Sequence, residues 1–471
     1  MKKMKYRGVL SRDEDKYGLK MKIGSLPDLE NVPLDEMVED FKIGDEIVLK
    51  FEEVRSQKRD MVTVKPISIG IHHYQDVYGS VCSADVKGCP PIPPPRREAI
   101  DMNIHMTLGS FAQYDFVNVD TPFVISDHHD LRRLPGDLSY DTDFILQKSI
   151  GCSPLEEFYI EQLGLPVYEK VPSEAVLRGF KVKKYLENSK FLYIGEIPSF
   201  SAPNGPWDFY EVQRRFGIRW RQIETNEFYR NFDRFSDDQV EKELENWKSD
   251  FGEIEPNDTE MLNATRSYLA LRYLAEREDA NGITVNCGRF TEERPVVPCL
   301  AFDRLIDEDV ICSCEGDITA LLSSMILHSV SDQPTLMGNF GSRKGRFEAE
   351  EGEVTIEHDI VPLSMGTGKF TVRDYHGREF GVTAYTDIQK QPMTLLNMNS
   401  EMSEISVFEG TIKYSVDGIH CRIIIHMDVD GDVSKVPEIV VGSQHMSMTF
   451  GHWKEELIEV ARLLKLHVKT L

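Results

Sequence analysis

The sequence predicts an α/β protein: two Rossmann-like parallel-sheet α/β units followed by a C-terminal β-rich domain, with a small β-rich segment at the N-terminus. Three observations carry this expectation. Between about residues 120 and 330, short apolar runs alternate with helical stretches, the pattern of strands that lie parallel with helices on both faces. Beyond about residue 340 one β-like run follows another, and a single helix closes the chain. Before residue 70, runs such as Glu46–Phe51 and Met61–Val64 are separated by charged turns. At 471 residues the chain exceeds a single compact core, and a prior of roughly 150 residues per domain suggests about three domains. Boundaries are expected at 1–70, 71–175, 176–335 (carrying Glu315) and 336–471 (carrying His445).

Taken in order, Pro90–Pro95 holds five prolines in six residues, which no helix or central strand accommodates, so an extended connector is expected there. Phe123–Ile125 is the first strand of the alternating region, ahead of a helix near 154–163. A helix over 173–188 leads to the strand Phe191–Gly195. Helices are then expected at 207–216, 237–250 and 258–278, the last two strongly amphipathic. The strand Ile283–Asn286, a helix at 296–306, the strand Val310–Cys314, a helix at 318–330 and the strand Thr335–Met337 complete the series. The C-terminal region reads as strands at 354–356, 369–372, 410–412, 422–426 and 439–441, then a helix over about 453–466.

Composition narrows the function classes. The formal charge is −25, from 79 acidic and 54 basic residues, a field that repels phosphodiester backbones and disfavours nucleic-acid partners. Such a surface also serves the solubility of a large oligomer. Apolar runs fall far short of the roughly 20 residues that span a bilayer, and the basic start Met1–Arg7 lacks a following apolar stretch, so a cytoplasmic protein without a membrane partner is expected. Eight cysteines without a CxxC pair fit reduced, mostly buried thiols.

In open α/β sheets, ligands gather where strands end and turn into helices. Cys314–Ala320 is such a turn. Asp317 is placed to cap the helix that follows, whereas Glu315 precedes a glycine and caps nothing evident. Gly442–His452 carries His445 on a strand-like run before the terminal helix, and Val354–Asp359 carries His358. Taken singly, each histidine reads equally as a satisfied core residue.

Together these stretches resemble the L-fucose isomerase and L-arabinose isomerase family. The resemblance runs through the Cys314-Glu315-Gly316-Asp317 turn, the Pro334–Phe340 strand, the His358 segment and the Gln444-His445…Gly451-His452 stretch leading into the terminal helix. It covers roughly residues 175–471; residues 1–120 match the family poorly. It implies a fucose-isomerase-like fold and a metal-dependent aldose–ketose isomerase acting through an enediol. The divalent ion, commonly Mn²⁺, is held by two acids and a histidine, and homo-oligomers, trimers or hexamers, carry their sites at subunit contacts. By position the ligands fall on Glu315 and His445, with His358 where arabinose-type members place another histidine. Asn286 falls where fucose-type members contact substrate.

The second acid falls on Asn339. An amide oxygen ligates hard cations but accepts no proton at neutral pH, which leaves Glu315 as ligand and candidate base and Asp317 as the reserve carboxylate. One carboxylate against a dication leaves about one positive charge, which favours an anionic sugar such as a sugar acid, phosphate or sulfonate. Arg343 and Lys344, directly after Asn339, either grip that anion or form a solvated basic turn. His128 and His129 either lie on an exposed turn or reach a neighbouring subunit's cleft. An epimerase or lyase on the same scaffold, and a sugar-binding member without turnover, are the alternatives. Asp428–Asp432 reads as a hairpin turn rather than a calcium loop, and Gly366–Lys369 lacks the flanking residues of a phosphate loop.

Overall fold

The computed structural model describes residues 171–197, 208–288, 296–341, 353–442 and 444–471 in full, together with Arg294, stretches between 59 and 170, and the backbone of four strands before residue 58. Of the expectations above, the proline connector, most of the helix near 154–163, His128, His129, Arg343 and Lys344 lie outside the described residues.

The chain divides into two compact units, Met1–Lys58 and Arg59–Leu471. The first is an antiparallel sheet in the order Leu29–Pro33, Lys16–Met21, Met4–Asp13, Glu46–Phe51.

In the second unit two parallel sheets appear, the second from the region where short apolar runs alternate with helical stretches. One is built around Val62–Ile69, which pairs in parallel with Val117–Val119, Phe123–Ile125 and Thr142–Ser149. Its Val62, Val64, Phe144 and Ile145 are fully buried, the continuous apolar character of strands covered on both faces. The other has the order Arg219–Ile223, Lys190–Ile194, Gly282–Val285, Ile311–Ser313, all parallel. Helices flank it for local reasons. Ser173, Asp208, Asn257 and Asp317 each accept a first-turn amide as side-chain N-caps, and the helices Phe209–Phe216, Asp258–Glu278 and Ile318–Ser331 each end on a left-handed residue.

Ile318–Ser331 is buried on almost every face because it is packed between this sheet and the C-terminal strands. Its serines make that contact possible: Ser324 Oγ donates to Ser447 Oγ at 2.8 Å and Ser447 Oγ to the Ala320 carbonyl at 2.9 Å.

The C-terminal strands run in the order Pro392–Met398, His445–Phe450, Leu336–Gly341, Val354–His358, Ile423–Val429, Glu404–Asp417, His467–Thr470. Pro392–Met398 also pairs with Glu404–Asp417, so six antiparallel strands close on themselves as a barrel, and His467–Thr470 adds in parallel outside it. Closure removes the exposed edges that an open sheet of this length would carry. A three-stranded sheet, Phe251–Ile254, Phe370–Arg373 and Thr383–Tyr385, lies beside it.

The mixed α/β class holds, and one expected strand is absent. The run at 439–441 is no strand: Val436–Ile439 is a helical turn with Pro437 in its first positions, entered from a 3₁₀ turn that Asp432 caps. Apolar character alone selected a strand there, whereas the proline and the cap select a turn. Among the described residues no helix is long and apolar enough to cross a membrane.

Candidate metal centre

The site is assembled where the second parallel sheet meets the barrel. At the carboxyl end of Ile311–Ser313 the chain turns through Glu315 (φ +61°) and Gly316 (φ +65°), two successive left-handed residues. A side chain at Gly316 would also strike Tyr193, since a Cβ would lie 2.5 Å from its hydroxyl, so this turn requires glycine. The tight turn lifts Glu315 off the sheet, and its side chain is roughly half exposed.

Two histidines come from barrel strands. His445 opens the strand His445–Phe450 and pairs in register with Asn339, while His358 ends the strand Val354–His358, whose Glu357 pairs with Asn339 from the other side. Close approach of these strands is enforced at Gly338, where a Cβ would sit 2.7 Å from the Glu357 carbonyl oxygen. His445 Nε2 lies 3.6 Å and His358 Nε2 3.8 Å from the two oxygens of Glu315, and the imidazole centroids are 5.8 Å apart. One donor atom from each of Glu315, His358 and His445 lies within 4.8 Å of the others.

Asp317 stands behind this group. Its Oδ1 accepts from Ala320 N at 2.9 Å and Thr319 Oγ1 at 2.7 Å, capping the helix Ile318–Ser331, and its Oδ2 accepts from His445 Nδ1 at 2.8 Å. Fully buried and bonded through both oxygens, Asp317 orients the imidazole and fixes the tautomer in which Nε2 faces Glu315. On the other side, Asn397 Nδ2 donates to the His445 carbonyl at 2.7 Å.

Electrostatics follow from this packing. The Glu315 carboxyl is pulled down to about 2, by the adjacent His358 first and then by the charges of His445, His358 and His376, against a burial that opposes it. Burial alone would depress His445, but the Asp317 bond, then the charges of Asp317 and Glu315, hold it above the usual histidine range.

The residues fit a divalent cation. Asn339 Oδ1 is buried without a hydrogen-bond partner among the described residues, as expected of an atom placed for another ligand. The donor set of carboxylate, amide and imidazole suits a hard or borderline ion such as Mn²⁺. Asn286 Nδ2 donates to the Glu196 carbonyl at 2.9 Å, at the point where the sheet order reverses between Lys190–Ile194 and Gly282–Val285. Sequence reasoning did not single out His376, Cys421 or the buried Glu357 and Asp359. The last two sit beside His358 in Glu357-His358-Asp359, the signal that could have drawn attention to them.

No family model matches the chain. Two curated relatives do: the sulfoquinovose isomerases of Priestia aryabhattai and of Priestia megaterium are each 19% identical over 328 residues, covering 64% of this chain and 69% of theirs. The chain is distantly similar to sugar isomerases. That likeness supports an isomerase, and it agrees in kind with the resemblance carried by the Glu315 and His445 segments.

Proposed function

We propose that this protein is a metal-dependent aldose–ketose isomerase acting on an anionic sugar. The observation that carries the reading is the convergence of Glu315, His358 and His445 donors within 4.8 Å of one another, from segments far apart in the chain. Glu315, His445, His358 and the Asn339 amide oxygen would hold the ion, with Mn²⁺ the best match to these donors. When bound, the ion would polarise the sugar's carbonyl and neighbouring hydroxyl and so acidify the C–H of the hydroxyl-bearing carbon. Glu315, ionised throughout the neutral range, is the carboxylate positioned to take that proton and return it to the carbonyl carbon through an enediol, while the hydroxyl proton passes from the one sugar oxygen to the other. Asp317 keeps the His445 ring in place, and the Asn339 amide accepts no proton at neutral pH.

The anionic substrate follows from charge. A dication faced by one carboxylate, one amide and neutral imidazoles leaves about one positive charge, which a sulfonate, phosphate or carboxylate on the sugar would balance. The relatives' substrate, sulfoquinovose, is a sulfonated sugar, so a sugar of that class is the first to test. Completion of the site across subunits of a homo-oligomer is part of the same reading.

Asn339, together with the low Glu315 value, also favours a second reading, in which the protein binds such a sugar without turning it over. The two separate in one experiment. Protein loaded with Mn²⁺ is given neutral and anionic aldoses, and ketose formation is followed alongside bound metal. The proposal expects ketose from an anionic aldose and loss of both metal and product in Glu315→Gln. Sugar binding without ketose selects the second reading, and a protein that binds neither metal nor sugar overturns both.

A further inference from the structure

A second group of donors, outside the site just described, gathers beside it. Asp359 follows His358 directly at the end of its strand, His376 lies on the turn after Phe370–Arg373, and Cys421 immediately precedes Arg422 before Ile423–Val429. Asp359 Oδ2 and His376 Nε2 are 2.6 Å apart, and one donor atom from each of Asp359, His376 and Cys421 lies within 4.8 Å of the other two. We infer that Asp359, His376 and Cys421 form a second divalent-cation site, selective for a thiophilic ion such as Zn²⁺ and distinct in chemistry from the sulfur-free set around Glu315.

The donors are held in place rather than met by chance. Asp359 is buried, and its Oδ1 accepts the backbone N–H of Arg422 at 3.0 Å, which leaves Oδ2 to face the imidazole. The Arg422 guanidinium does not neutralise Asp359: it donates to Asp374 Oδ1 at 2.7 Å and to the Asp374 carbonyl at 3.0 Å. Asp374 in turn caps the His376 turn, accepting from Gly377 N at 3.1 Å and Glu379 N at 2.7 Å. One arginine therefore ties together the three segments that carry the donors. His376 is fixed further by stacking on Tyr375, with ring centroids 3.9 Å apart, and by a left-handed backbone at φ +57°.

The chemistry of the set chooses the ion. Carboxylate, imidazole and thiol, with room for a fourth ligand, is a zinc donor set, and zinc–ligand bonds of about 2.0–2.3 Å put neighbouring donors roughly 3–4 Å apart. The Asp359–His376 hydrogen bond stands where an ion would separate the two by a few tenths of an ångström more. A hydrogen-bonded Asp–His pair by itself explains that contact but not the thiol converging on it. Binding releases the thiol proton to solvent and takes the imidazole in its neutral form, so the cation meets one thiolate and one carboxylate. His376 is partly exposed and Cys421 half-buried, which gives the ion a way in.

Cobalt tests this directly, because only a sulfur ligand gives a Co²⁺ spectrum with thiolate charge-transfer absorption in the near ultraviolet. Full-length metal-free protein titrated with CoCl₂ is expected to develop that band, to lose it on adding ZnCl₂, and to keep it in Glu315→Gln, whose other site is disabled. Cys421→Ser is expected to abolish it. His376→Asn, which suits a left-handed position and so preserves the turn, should weaken cobalt binding by about 100-fold or more, at or beyond the upper end of losses typical for partners outside the ligand set. A parent protein without the band, or a band that survives Cys421→Ser, overturns the assignment whatever the isomerase assay shows.

Discussion

Asp317 performs two tasks with one carboxylate, and substitutions separate them. Asp317→Asn keeps an N-cap acceptor for Ala320 but presents the His445 Nδ1–H with an amide in place of a charged acceptor. Its expected phenotype is a thermal midpoint close to that of the parent with Mn²⁺ affinity lower by about 10–100-fold, read by calorimetric titration. Asp317→Ala should show the same metal defect and lose about 1 kcal/mol of stability besides. At Asn339 the charge argument is tested by Asn339→Asp, which cancels the residual positive charge. The ratio of kcat/KM for anionic over neutral aldose should fall by about tenfold, the equivalent of about 1.4 kcal/mol; an unchanged ratio sinks the anionic-substrate proposal. The Glu315, His358 and His445 segments were legible in the sequence because each sits on a short motif with its own punctuation. His376 and Cys421 were not, because they lie on loops whose placement depends on the Arg422–Asp374 contact, and no local spacing records it.

Among the elements, the helix Asp258–Glu278 ends on an acid, the wrong sign for a helix C-terminus. Burial would raise the Glu278 carboxyl, but Arg221, Lys190 and Arg277 converge on it and lower it to about 2, and Lys190 thereby ties the start of a central strand to the end of the helix. The folded value lies below the ordinary 4.5, so the stabilisation is complete above about pH 4.5 and is lost as pH falls toward 2. Glu278→Gln should therefore cost about 1–2 kcal/mol at pH 7, discounted for the partial exposure of its arginine partners, and nothing near pH 2, as measured by urea unfolding at both values. Element by element, the strands Lys190–Ile194, Gly282–Val285 and Ile311–Ser313 and the long amphipathic helices were readable because periodicity and caps agree. The strand Arg219–Ile223 was not, since it lies at the sheet edge with alternate residues exposed, so its Arg-Trp-Arg-Gln run lacks the apolar signature of its neighbours.

Within the unit from Arg59 onward, one apolar cluster runs without a break from the second parallel sheet into the barrel, joining Leu192, Ile283 and Cys312 to Met337, Met393 and Met446. Its unfolding is expected to be a single cooperative transition, with circular dichroism and tryptophan fluorescence giving coincident curves; two separated steps would show that sheet and barrel fold independently. On the proposed function, the same continuity bears on how a sugar would reach a bound ion. Ile318–Ser331 is gripped by the second parallel sheet on one side and the barrel on the other, so sheet and barrel cannot swing apart like jaws. Entry and discrimination then fall to the connecting loops at the rim, and a change of sugar preference would be sought by redesigning those loops rather than the framework that carries Glu315 and His445.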